Sequence, residues 1–196
     1  MKVIFLDFDG VITIPETRWH ISLPHIKRIK EICDATGAKI VVSSSWRMDT
    51  IEETIDKMIG RPKRCPRNRM LNWFIDNLYD VTPWFCDDKY NGTGRGGEIQ
   101  TWLDAHPEVD NYVIIDDDGD MLDEQLFNFV QTDWAFGIQD REVKLAIDVL
   151  NNIPPRNSLS LNNELQFKFW VSLGNGKVDN YKEIVEKYNP WKNEDK

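Results

Sequence analysis

Residues 3–11 read Val-Ile-Phe-Leu-Asp7-Phe-Asp9-Gly10-Val11, an apolar run that ends in two carboxylates one residue apart. Such a run is typical of a strand buried on both faces, and acids at its end cost desolvation free energy unless a cation or a reaction uses them. Ligands of open α/β sheets bind at the carboxyl ends of the strands. Gly10 allows a bend that brings both carboxylates to one place. The stretch therefore predicts a site for Mg²⁺ and phosphate.

The chain has 196 residues, which is the size of one domain with a modest extension. Its three cysteines, Cys33, Cys65 and Cys86, form no CxxC pair, so we expect reduced thiols and a cytoplasmic location. No apolar run approaches the ~20 residues that span a membrane. The formal net charge of −9 opposes indiscriminate nucleic-acid binding. We expect a soluble chain without membrane attachment, and the sequence leaves its oligomeric state open.

Apolar strands alternate with amphipathic helices along the chain. The predicted strands are residues 3–6, 39–42, 112–115 and 129–132, and the predicted helices are residues 24–37, 49–58, 71–78, 98–103 and 141–150. This alternation predicts a three-layer α/β/α Rossmann-like fold with a central parallel sheet. We expect a loop over residues 81–97. Residues 1–150 are predicted to form the core domain, and residues 151–196 a C-terminal extension of a hairpin and a helix, packed on the core or at an interface.

Polar clusters also follow two other predicted strands. The strand at 112–115 ends in acids within residues 116–120, and the strand at 39–42 ends in the serines of residues 43–45. Carboxylates from two parallel strands that meet at one point cannot all ionise without a cation, and oxygen ligands favour Mg²⁺. The serines offer hydroxyl and N–H donors to a phosphate, and Arg95 offers a fixed positive charge. Together these residues predict a phosphoryl-transfer site.

These motifs resemble those of the haloacid dehalogenase-like superfamily. Asp7-Phe-Asp9-Gly-Val11 is similar to its first motif, Ser44 to its second and Ile-Ile-Asp116-Asp117 to its fourth, in matching order over residues 1–150. The strings Val-Ser-Ser-Ser-Trp-Arg and Tyr-Val-Ile-Ile-Asp-Asp-Asp resemble the branch described as the haloacid dehalogenase-like domain of Swiss Army Knife RNA repair proteins. The resemblance implies a Mg²⁺-dependent phosphohydrolase that works through an aspartyl-phosphate.

The resemblance also implies roles for the acids. Asp7 would attack phosphorus, and Asp9 would protonate the leaving oxygen and then activate water. The metal would be held by the Asp7 carboxylate, the Asp9 backbone carbonyl and the acids of the fourth motif. Either Asp116 or Asp117 would bind the metal directly, and we favour Asp117.

The phosphate-binding residues implied by the resemblance carry two alternatives. The hydroxyl of the second motif belongs to Ser43 or Ser44, and we favour Ser44, with Ser45 beside it. The third motif is normally a lysine. Arg95 fits its place before a helix, and Lys89 is the alternative.

The spacing of the motifs bears on the substrate. Only about a dozen residues separate Val11 from Pro24, and the interval 48–94 is hardly longer than a crossover needs, so we expect little or no cap domain. An uncapped site admits RNA or DNA ends as well as nucleotides. The basic turn at 61–69, with five cations in nine residues, and Trp46 would hold such a strand. The alternatives are a phosphatase of small metabolites or phosphoproteins, and a non-catalytic binding module.

Overall fold

The computed structural model of the chain describes residues 1–59, 69–85, 88–90 and 93–152. Apart from Arg69, the predicted basic turn at 61–69 lies outside these residues, and so does the predicted C-terminal extension from residue 153 onward. Within the described ranges, no helix has both the length and the apolar character needed to cross a membrane.

Within the same ranges, five strands form one parallel sheet. They are β1 (Lys2–Leu6), β2 (Lys39–Val42), β3 (Leu78–Val81), β4 (Asn111–Asp116) and β5 (Phe129–Gln131). Their order across the sheet is β3-β2-β1-β4-β5, and every neighbouring pair is parallel. The direction of winding therefore reverses between β1 and β4, and this switch point is where open α/β sheets bind ligands.

Helices cover both faces of the sheet. They are α1 (Leu23–Thr36), α2 (Ile51–Ile59), α3 (Arg69–Asp76), α4 (Gly94–Ala105) and α5 (Asp140–Leu150). Because side chains alternate along a strand, Ile4 and Leu6 face a core cluster shared with α1, α3 and α5, whereas Val3 and Phe5 face a cluster shared with α4. The predicted three-layer α/β/α Rossmann-like fold with a central parallel sheet is confirmed.

Two elements differ from the sequence prediction. Strand β3 lies where we expected the end of a helix and the start of a loop, because this edge strand has four residues of which only Val81 is buried. Helix α4 begins at Gly94, inside the predicted loop. The Asp120 carboxylate accepts a hydrogen bond from the Arg95 backbone N–H at 3.0 Å and so stabilises this glycine-rich helix start. That contact joins residues 25 positions apart.

The described residues include no separate folded cap. The connection between β1 and α1 holds a single short 3₁₀ helix at Pro15–Thr17. In the connection between β2 and β3, Met58 of α2 and Phe74 of α3 are fully buried in the core cluster on one face of the sheet.

Candidate active site

Three aspartates meet at the switch point between β1 and β4. Asp7 follows β1, its backbone N–H donates to the Ile115 carbonyl at 3.0 Å, and its side chain is buried. Asp116 ends β4 with 1 % exposure, and Asp117 comes next and is partly buried. Carboxylate oxygens of the three residues lie within 4.8 Å of one another. The structure thus brings both acids of the fourth motif to Asp7.

Gly10 makes this approach possible. Its φ of 72° is left-handed, and a Cβ atom built on it would overlap the Asp117 carboxylate. The Gly10 carbonyl accepts a hydrogen bond from Thr132 Oγ1 at 2.8 Å, which ties the bend after β1 to the end of β5. Glycine therefore serves both the turn and the packing of the acid cluster.

The three carboxylates resist ionising together. Burial raises the pKa of Asp7, although Arg95 opposes the shift. Burial and the neighbouring Asp7 raise the pKa of Asp116, and burial raises the pKa of Asp117 to about 6. Asp116 Oδ2 is buried without a hydrogen bond in the described part of the chain, since Arg95 approaches it only as an ion pair. An all-oxygen donor set that includes a buried oxygen without a hydrogen bond fits a hard divalent cation such as Mg²⁺.

The Asp9 carboxylate is not one of the three clustered carboxylates. Its Oδ1 accepts a hydrogen bond from Thr13 Oγ1 at 2.6 Å, and Trp46 Nε1 lies 3.1 Å from Oδ1 and 3.0 Å from Oδ2. The Trp46 ring is 5 % exposed and packs on Phe8, with ring centroids 5.8 Å apart. Because the side chain is buried, the prediction that Trp46 would hold a nucleic-acid strand is wrong. Trp46 instead orients the Asp9 carboxylate.

The serines after β2 point in different directions. The Ser44 hydroxyl lies beside the Asp7 carboxyl group and opposes the rise in the pKa of Asp7. Ser43 is also buried, but its hydroxyl lies 3.5 Å from Thr82 Oγ1. Ser45 is exposed. Of the two candidates for the second motif, the structure places the Ser44 hydroxyl at the acids.

Arg95 lies at the acid cluster. It belongs to the first turn of α4, with Nη1 3.6 Å from Asp7 Oδ1 and Nε 3.1 Å from Asp116 Oδ2. Its Nη1 also donates a hydrogen bond to the Ser43 carbonyl. The guanidinium group therefore lies between the two buried carboxylates and balances part of their charge.

Lys89, the alternative, lies elsewhere. Its Nζ is 2.5 Å from Asp104 Oδ2, in an ion pair on the surface of α4. More than half of the Lys89 side chain is exposed. Geometry therefore favours Arg95 for the role of the third motif.

The sequence prediction missed three residues that contact the site residues without belonging to the acid cluster. Arg47 contacts the Ser44 carbonyl, Thr13 contacts Asp9, and Asp120 caps the helix that carries Arg95. Asp120 lies in the noted acid run, but its partner is distant in sequence. Arg47 is the last residue of the Val-Ser-Ser-Ser-Trp-Arg string, but no local sequence pattern distinguishes a buried arginine from an exposed one.

Comparison with protein families gives a match to the model described as HAD domain in Swiss Army Knife RNA repair proteins, over residues 3–143. The matched segment runs from β1 into α5 and includes all the acids described above. No curated protein and no solved structure matches the chain. The family match agrees with the resemblance of the motifs.

Proposed function

This chain belongs to the family of haloacid dehalogenase-like (HAD) domains in Swiss Army Knife RNA repair proteins, and on that premise we propose that it is a Mg²⁺-dependent phosphohydrolase that works through an aspartyl-phosphate. The observation that carries the proposal is the cluster of Asp7, Asp116 and Asp117 with Arg95 against it. A nucleophilic carboxylate beside a fixed cation and a potential metal site is what phosphoryl transfer requires.

The chain's own residues supply the two chemical steps. An Asp7 oxygen attacks phosphorus, the bond from phosphorus to the ester oxygen breaks, and the leaving oxygen takes a proton from Asp9. Asp9 then removes a proton from water, which attacks phosphorus and frees phosphate and Asp7. Arg95 and Ser44 hold the phosphoryl oxygens during both steps. The contacts from Thr13 and Trp46 keep the Asp9 carboxylate in one orientation.

The metal would be held by the carboxylates of Asp7, Asp116 and Asp117 and the backbone carbonyl of Asp9. Bound Mg²⁺ would neutralise these carboxylates and polarise a phosphoryl oxygen as a Lewis acid.

We further propose that the substrate is a phosphate at a nucleic-acid end or on a nucleotide, in the cytoplasm. Family membership supports this choice, and so does the absence of a separate folded cap among the described residues, since a cap restricts a site to small substrates. The basic turn at 61–69 would add affinity for the nucleic-acid backbone.

A substrate panel tests both parts of the proposal. It contains RNA and DNA oligonucleotides phosphorylated at the 3′ or 5′ end, the matching nucleoside monophosphates and p-nitrophenyl phosphate, each assayed with and without Mg²⁺. We expect Mg²⁺-dependent hydrolysis, and a kcat/KM for one oligonucleotide end at least about tenfold above that of its nucleotide, declining with salt. No hydrolysis of any ester would contradict the phosphohydrolase. Equal hydrolysis of oligonucleotide and nucleotide would contradict only the preference for nucleic-acid ends.

Replacing Trp46 by Phe should lower kcat about tenfold while preserving the packing on Phe8. The phenyl ring fills most of the space of the indole but donates no hydrogen bond, so the Asp9 carboxylate loses its contact with Nε1. The measurement is kcat on p-nitrophenyl phosphate together with Tm.

Trp102→Phe is the matched control. Trp102 is also buried and its Nε1 donates to a carboxylate, Asp80 Oδ2, at 2.7 Å. The control should lower Tm by a similar amount and leave kcat unchanged. If both variants keep the kcat of the original protein, the orienting role of Trp46 is wrong.

A further inference from the structure

Arg47 is a fully buried arginine behind the proposed phosphate site. Its side chain is 2 % exposed. Nε donates to the Thr82 carbonyl at 3.0 Å, Nη1 to the Ser44 carbonyl at 2.8 Å and Nη2 to the Pro83 carbonyl at 3.0 Å. Nη2 also lies 2.7 Å from Glu98 Oε2. A guanidinium group stays charged in proteins, so its burial requires partners of this kind.

These contacts link Ser44 to α4, the helix that carries Arg95; Ser44 and Arg95 are the residues that we propose to hold the phosphoryl group. Ser44 follows β2, and its hydroxyl faces Asp7 while its carbonyl faces Arg47. Glu98 belongs to α4, three residues after Arg95, so it lies one turn further along the same helix. A single guanidinium therefore fixes the distance between the end of β2 and the start of α4.

The guanidinium group is closed off from the substrate. The contacts above engage four of its five N–H groups, and the Trp84 ring lies over it, with Cζ 4.0 Å from the ring centroid. With only 2 % of its side chain exposed, Arg47 offers almost no surface to a phosphate. Any effect it has on the reaction acts through the residues it holds.

We propose that Arg47 and Glu98 are positioning residues for phosphoryl transfer, which set the placement of Ser44 and Arg95 relative to Asp7. This inference rests on the proposed function. Phosphoryl transfer depends on placement, because the reacting atoms and the groups that stabilise charge must be aligned to within a fraction of an ångström. A guanidinium bound to two strand ends and one helix provides that alignment.

The variants Arg47→Lys and Glu98→Gln test the role. Lysine keeps the charge but cannot reproduce the planar set of donors, and glutamine keeps the shape of Glu98 without its charge. We expect kcat/KM to fall about 100-fold in Arg47→Lys and about tenfold in Glu98→Gln. We also expect orthovanadate, a phosphate analogue, to bind about tenfold more weakly to both folded variants in calorimetry with Mg²⁺.

Arg28→Lys is the matched control. Arg28 forms an ion pair with Asp140 at 2.8 Å and joins α1 to α5, on the opposite face of the sheet from α4. The Arg28→Lys variant should have a changed Tm but the same kcat/KM and vanadate affinity as the original protein. If the folded Arg47 and Glu98 variants behave like this control, with only Tm altered, the positioning role is overturned. Should Arg47→Lys fail to fold, Glu98→Gln alone decides the question by the same two measurements.

A double-variant cycle separates positioning from stability. Because Arg47 would act through Ser44, the losses in Arg47→Lys and Ser44→Ala should be strongly non-additive in kcat/KM. Additive losses would contradict that route. If the original protein binds vanadate but hydrolyses no ester, the proposed function fails, and unequal vanadate affinities of variant and control then show only that Arg47 and Glu98 place the residues that bind a phosphate analogue.

Discussion

Asp7→Asn is expected to reduce kcat by about 10⁴-fold or more, because an amide does not attack phosphorus and the covalent route is lost. Asparagine has nearly the shape of aspartate, so the buried site keeps its packing. Since burial raises the pKa of Asp7, the ionised carboxylate is unfavourable there, and removing its charge should raise Tm in the absence of metal. The measurements are single-turnover kinetics on p-nitrophenyl phosphate with Mg²⁺ and thermal unfolding without it.

Asp118→Asn is the matched control for this prediction. Asp118 lies next to the acid cluster, but its side chain is exposed and is not one of the three clustered carboxylates. The control removes the same charge and should change kcat less than about threefold. Turnover by Asp7→Asn at the rate of the original protein would exclude Asp7 as the nucleophile.

Arg95→Met is expected to lower kcat/KM by about 10³-fold, since it removes the fixed cation that would balance the charge of the transferring phosphoryl group. It should also lower Tm in the absence of metal, because Asp7 and Asp116 lose the positive charge between them. Methionine keeps most of the length of the side chain. The measurements are steady-state kinetics with Mg²⁺ and thermal unfolding without it.

Lys89→Met separates the two candidates for the third motif. Lys89 forms its ion pair with Asp104 on the surface, so its loss should leave kcat/KM unchanged. The opposite pattern, with an active Arg95→Met and an inactive Lys89→Met, would show that the arrangement around Arg95 is not the catalytic one.

The errors of the sequence prediction share one physical origin. Strand β3 has only one buried residue, so its place in the sheet comes from pairing with β2 rather than from an apolar run. The start of α4 depends on the Asp120 carboxylate, which the end of β4 supplies from 25 residues away. The periodicity of apolar residues along the sequence does not reveal contacts between distant segments.

The amino-acid sequence by itself determined the fold class, the family and the acids at the ends of β1 and β4. An apolar run followed by carboxylates is a local pattern. Because burying carboxylates costs desolvation free energy, this pattern indicates a functional site even when the residues that pack around it are not known. Only the tertiary structure decided that Ser44 and Arg95 face Asp7, that Trp46 holds Asp9, and that Arg47 lies buried behind them. Each of these depends on where a side chain points once distant segments have packed, and the packing of the whole sheet and its helices fixes that direction.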